Sequence, residues 1–178
     1  MKLRLWVTSA FLSLVCFTAA GFLIYERFYP LSPVFAAASS EKSTASASVP
    51  VNLKISALGI DLPVVAARSV SGRFPTTREG ITYLKDSSLP GEPAGVAVFY
   101  GHNWPRLLGN LKEIQVGQTI TLGLQDSEIT YRVDSIVVVS PSEVSVLSPV
   151  PDWAGRLILY TCSGFLDSRR LVVTATAI

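Results

Sequence analysis

From Val51 to the C terminus the chain is a succession of short apolar or alternating runs, each soon interrupted by Gly, Pro, Asp or Ser. Alternating or continuous apolar runs of this kind, bounded by turn residues, read as β-strands. Eight of them stand out: Val51–Ser56, Asp61–Ala66, Gly80–Leu84, Gly95–Tyr100, Gln118–Leu124, Glu128–Val139, Arg156–Thr161 and Arg170–Ala177. Ile, Val, Thr and Tyr are common in them, residues that suit a pleated, half-buried surface. Their number and spacing predict a mainly β domain, a closed barrel or a sandwich. Only Pro105–Ile114 has a helical pattern, with Leu107, Leu108 and Leu111 on one face and Gly109 weakening it. A short 3₁₀ or irregular turn is expected at Ser142–Leu147.

The segment before Val51 is different. Apolar residues make up 49% of the 178 and charged residues 16%, and the excess is concentrated in residues 5–25, which carry no charge. As a helix this stretch spans roughly 32 Å, the thickness of a bilayer's hydrocarbon core. Lys2 and Arg4 precede it, which favours a cytoplasmic N-terminal tip and an external C-terminal domain. Residues 1–27 are therefore expected to be a tip and membrane anchor. The competing reading is a secretory signal cleaved near Ala36-Ala37-Ala38, but the apolar run is longer than a signal core of ~7–15 residues. Residues 28–50, dense in Ser, Ala, Thr and Pro, are expected to form a flexible stalk, with a single folded domain at 51–178. Trp6 is expected at the membrane interface and Trp153 in the core. The net charge of +2 is supplied by Lys2 and Arg4 alone, so no basic patch remains for nucleic acid.

The domain has one cysteine, Cys162, and one histidine, His102; the second cysteine, Cys16, lies in the apolar run. An unpaired thiol in an exported domain is a buried apolar side chain, a partner in an intermolecular bridge, or a reactive group. Cys162 closes the apolar strand LILYTC and is flanked by polar Thr161 and small Ser163-Gly164. His102 closes another apolar strand, GVAVFYGH. A thiol nucleophile and its acid/base partner need proximity in space, not in sequence, and two strand ends can supply it. Arg170 opens the last strand, with the seven residues SGFLDSR between it and Cys162. An antiparallel hairpin would return its guanidinium to the thiol, where it can stabilise a thiolate or a developing oxyanion. Trp104 either walls a groove beside His102 or packs against the core. One His and one Cys cannot build a zinc site, and Asp61, Glu79 and Asp86 are not spaced as a calcium loop, so neither metal nor cofactor is expected.

The order YGHN at 100–103, LYTC at 159–162 and RRLVV at 169–173 resembles the sortases, cysteine transpeptidases of bacterial surfaces. The likeness extends over most of residues 50–178, with NLKISALGIDLPVV resembling the family's opening strands. Ile158 replaces the first Thr of the usual T-L-x-T-C run. The resemblance implies a closed eight-stranded sortase-like β-barrel with one or two short helices. It further implies that Cys162 attacks the carbonyl of an LPxTG-type sorting signal and that His102 is the acid and then the base. Arg170 would bind substrate and steady the oxyanion, and Thr161 would contact substrate or oxyanion. The implied partners are surface-protein sorting peptides and an amine of the cell wall or of another surface protein. Arg169 competes for the arginine role, but Arg170 directly precedes the apolar LVV.

Two other readings use the same residues. An L,D-transpeptidase places Gly before its thiol and Arg two residues after, where this chain has Thr161 and Gly164. Papain-like amidases carry the cysteine before the histidine. In a third reading the chain is an anchored β-domain that binds or scaffolds envelope partners, with a structural thiol.

Overall fold

The computed structural model describes residues 13, 15–21, 49–70, 74–93, 95–143, 145 and 155–178. Residues 13 and 15–21 are helical, and among the described residues no helix is long and apolar enough to cross a membrane. The rest of the expected anchor, nearly all of the expected stalk, Trp6 and Trp153 lie outside the described residues. Of the expected turn at 142–147 only residues 142, 143 and 145 are described, and Glu143 N–H donates to the Ser140 carbonyl at 3.0 Å.

Eight strands form as the alternation requires: β1 Pro50–Ile55, β2 Ile60–Ala67, β3 Ile81–Leu84, β4 Val96–Gly101, β5 Thr119–Leu124, β6 Glu128–Val139, β7 Arg156–Ser163 and β8 Arg169–Ala177. They close into one barrel in the order β1-β2-β3-β4-β7-β8-β6-β5. Closure gives every strand two neighbours and leaves no open edge. Most pairs are antiparallel, but β2 pairs with β3 and β4 with β7 in parallel. Observed and expected strand ends agree to within two residues. The largest shift is at β7, which runs on to Ser163, so Cys162 sits within the ladder and not beyond it.

Period-two alternation divides each strand between two apolar clusters. Leu53, Ile81, Ala97, Phe99, Ile120, Leu122, Tyr131, Leu157, Leu159 and Val173 fill the barrel. Their neighbours Val96, Val98, Tyr100, Ile158 and Val172 make a second buried cluster on the outer face of β4, β7 and β8, with Tyr160 packed against it. The residues after β2 help to cover this outer face: Phe74 meets Tyr100 edge-on at 5.7 Å, and the Tyr100 hydroxyl donates to the Pro75 carbonyl at 2.8 Å.

The helix expected at Pro105–Ile114 is corrected to a turn followed by a 3₁₀ segment at Gly109–Glu113. The leucines are spaced for a helix and do reach the core: Leu107, Leu108 and Leu111 are all buried in it. The backbone bonds are i→i+3 instead, with Leu111 N–H donating to Leu108 at 3.0 Å and Ile114 N–H to Leu111 at 3.1 Å. Gly109, read from sequence as a weak helix residue, is required by packing. A Cβ there would lie 2.8 Å from the carbonyl carbon and oxygen of Trp104, backbone atoms that a rotamer change cannot move. Gly109→Ala is expected to cost ~1–3 kcal/mol by overpacking. Urea unfolding should show a lower midpoint at unchanged slope; an unchanged midpoint would mean the Trp104 backbone yields freely.

Candidate active site

The site stands where β4 and β7 end together. Their parallel register runs from Val96↔Arg156 to Gly101↔Thr161, so His102 and Cys162 are the next residues on neighbouring strands. Adjacent strands lie about 4.8 Å apart. On the other side of β7, Cys162 pairs directly with Arg170 of β8. Directly opposed residues of an antiparallel pair project from the same face. Cys162 is thus flanked by the histidine-bearing strand end and by the arginine-bearing strand.

The preceding rank confirms which face this is. Tyr100, Tyr160 and Val172 are register partners one step earlier along the same three strands. The rings of Tyr100 and Tyr160 stack at 5.4 Å with an interplanar angle of 18°. Residues two apart on a strand share a face, so Cys162 continues the outer apolar cluster at its margin. The thiol is half-buried and unbridged.

Electrostatics at the thiol follow from that position. Burial against the apolar floor pushes the Cys162 thiol above its ordinary range; the Arg170 guanidinium pulls it back down and the Asp167 carboxylate pushes it up. Burial also raises the Tyr160 phenol, as does neighbouring Tyr100, while Arg170 opposes the shift. Arg170 itself is pinned: its Nη1 donates to the backbone carbonyls of Asp167 at 2.8 Å and Arg169 at 2.9 Å. The β7–β8 turn, which supplies the first of these carbonyls, carries Leu166 and Asp167 at positive φ, 51° and 59°. Arg169 pairs with Ser163 and, by alternation, belongs to the opposite face, so of the two arginines it is Arg170 that lies opposite the thiol.

Two further expected residues take distinct places. Thr161 is 2% exposed, and its hydroxyl donates to the Gly101 carbonyl at 2.9 Å. Its side chain turns inward and ties the last residue of β4 to β7, so its structural part is to hold the two strand ends in register. Trp104 is half-buried, packs against the barrel core and lies face to face with His102, ring centroids 4.3 Å apart. Sequence reasoning did not single out Tyr160, although its place two residues before Cys162 puts it on the same face. Nor did it single out Phe165 and Leu166, which stand 85% and 84% exposed in the turn that holds Arg170.

The fold and site together define a class: a closed mixed barrel that presents a cysteine, a histidine and an arginine at the end of three adjoining strands. A model of one family, described as Sortase domain, matches residues 53–178, and the chain belongs to the sortase family of cysteine transpeptidases. Among solved structures, sortase C1 from Streptococcus suis is similar at 25% identity and a TM-score of 0.62, covering 72% of each chain. The sortase C2 of Group B Streptococcus pilus island 1 is similar at 27% identity and a TM-score of 0.63, covering 75% of this chain and 76% of that one. A lid mutant of sortase A from Corynebacterium diphtheriae is similar at 26% identity and a TM-score of 0.64, covering 76% of this chain and 73% of that one. No curated protein matches the sequence.

Two expectations follow from this geometry. Because the thiol ionises above its ordinary range, alkylation of Cys162 by iodoacetamide should keep accelerating as pH rises beyond the point where a free cysteine levels off. Arg170→Gln removes a charge that favours the thiolate, so the curve should move to still higher pH, with a several-fold slower reaction near neutrality. A curve that moved to lower pH would overturn this assignment. Thr161→Val leaves the buried Gly101 carbonyl without its side-chain partner and should cost ~1–3 kcal/mol, whereas Thr161→Ser should recover most of it in the same unfolding measurement.

Proposed function

We propose that the domain is a working sortase-type transpeptidase that cleaves an LPxTG-type sorting signal and transfers the protein to an amine of the cell wall or another surface protein. The observation that carries the reading is the half-exposed Cys162 between His102, the first residue after β4, and Arg170, its register partner on β8. We also propose that residues 5–25 anchor the chain with residues 51–178 outside the cell. Their lack of charge and the basic Lys2 and Arg4 before them support that placement.

The chemistry follows from a thiol that is neutral at rest. As sulfur attacks the scissile carbonyl, its proton must leave, and the imidazole of His102 is the adjoining group able to take it. The carbonyl oxygen gains negative charge, which the pinned Arg170 guanidinium offsets at no cost in reorganisation. The imidazolium then gives the proton to the leaving amine as the C–N bond breaks, and the acyl group stays on sulfur as a thioester. In the second half an incoming amine attacks the thioester, loses its proton to His102, and the C–S bond breaks. The sulfur leaves as the thiol with that proton, and the site is restored. The apolar floor of Tyr100, Tyr160 and Val172 lowers the local polarity, which strengthens each of these charge interactions. Phe165 and Leu166 stand exposed in the turn whose Asp167 carbonyl holds Arg170.

The test is incubation of the purified protein with LPxTG-type peptides and hydroxylamine as the amine, followed by mass spectrometry. Without hydroxylamine, wild-type protein should carry the acyl mass on Cys162; with it, the protein should release the peptide's C-terminal fragment and the hydroxamate of the N-terminal part. Cys162→Ala should lose turnover by on the order of 10³-fold or more, with no acyl adduct. Cleavage by Cys162→Ala at the wild-type rate would sink the proposal.

A further inference from the structure

His102 and Trp104 lie two positions apart in the segment that leaves β4, and their rings are stacked in parallel: centroids 4.3 Å apart, planes inclined by 6°. The indole carries a second group, the Arg106 guanidinium, whose central carbon sits 4.5 Å from the ring centroid. Trp104 is well anchored for this task. Its carbonyl accepts the backbone N–H of Leu107 at 2.8 Å and of Gly109 at 2.9 Å. The His102 carbonyl accepts that of Leu108 at 3.2 Å. Leu107 and Leu108 are buried, so the turn that bears both rings is fastened to the core.

We propose that Trp104 is a positioning residue for His102: its indole face fixes the plane of the imidazole and favours the cationic form that gives a proton to the leaving amine. The role of the imidazole rests on the transpeptidase reading above; the stack does not. Two physical effects point the same way. Parallel contact over the whole ring holds the imidazole against rotation about its last side-chain bond, which an acid delivering a proton along one direction requires. The face of an indole is the negative part of its quadrupole, so it attracts an imidazolium more than a neutral ring.

The charged and titratable groups around the imidazole give this face work to do. Arg106 lies over the indole from the same turn, Cys162 follows the last register pair of β4 and β7, Arg170 pairs with Cys162 from β8, and Asp167 lies in the adjoining turn. Arg106 and Arg170 are permanent cations and oppose a third positive charge, while the Asp167 carboxylate favours it and offsets part of that repulsion. Cys162 assists only as a thiolate, and burial disfavours that form. Tyr100 and Tyr160 stand one rank away as neutral phenols, both raised by burial. The indole face is therefore a source of attraction for the imidazolium that persists while the thiol is still protonated.

The chain has a single histidine, so its imidazole C–H signals in an NMR titration report on His102 alone. In wild-type protein those signals should be displaced upfield by the indole ring current. In Trp104→Leu the displacement should vanish and the titration midpoint fall by about half a pH unit. With a sorting peptide and hydroxylamine, Trp104→Leu should lower kcat about tenfold while KM stays within about twofold. Trp104→Phe keeps an aromatic face and should retain most of the upfield displacement, the midpoint and kcat.

Signals and midpoint unchanged in Trp104→Leu would overturn the proposal. So would a rise in KM with kcat and midpoint unchanged, which would make Trp104 a wall of the substrate groove. Equal losses in Trp104→Phe and Trp104→Leu, accompanied by a lowered Tm, would make it a packing residue only. If wild-type protein turned over no sorting peptide, the transpeptidase reading would fail, while the ring-current displacement and the midpoint would still decide the stack.

Discussion

The parallel pairing of β4 with β7 is the constraint on which the site depends. Strand ends that carry functional groups can be neighbours only if the strands run the same way; an antiparallel pair would send His102 and Cys162 to opposite ends of the barrel. Parallel neighbours need a long crossover, and the chain supplies it with β5 and β6, which pair with each other and return to β1 and β8. The antiparallel β7–β8 hairpin then adds Arg170 on the other side of the thiol. One parallel and one antiparallel contact therefore gather three side chains distant in sequence, and Thr161 bonds the first contact shut at its last residue.

Placing the thiol at the margin of an apolar face has two opposed consequences. Desolvation holds sulfur in its protonated, unreactive form, which guards a lone cysteine against adventitious chemistry. The same low polarity strengthens the guanidinium's hold on a developing oxyanion. Arg170 reconciles the two because it is already fixed by backbone carbonyls before any substrate arrives. The left-handed residues Leu166 and Asp167 mark the backbone strain accepted to build that fixture.

The segment after β4 shows how local preference yields to packing. Three leucines at helical spacing and one glycine read as a poor helix. In the structure the leucines do face the core, but the backbone tightens to a 3₁₀ turn so that Gly109 can pass against Trp104. That approach seats the indole beneath His102. A residue that is a defect under helix propensity is, in the folded barrel, what lets the histidine's turn close.

Alternation of apolar and polar residues is a local property, and for that reason the strands, the β class and the strand-end placement of His102 were all legible in the sequence. So was the segregation of a charge-free N-terminal run from the balanced domain. The order His, L-Y-T-C, Arg carried the family, and the spacing of Cys162 and Arg170 carried their hairpin. Other features depend on which strands become neighbours, and only the closed barrel decided those. Register put Arg170 and not Arg169 beside the thiol, turned Thr161 inward to Gly101, and ranked Tyr160 with Tyr100 as the floor. The stack of Trp104 on His102 likewise needed the turn to be folded against the core. Periodicity assigns a side chain to one of two faces; closure of the barrel determines what each face meets.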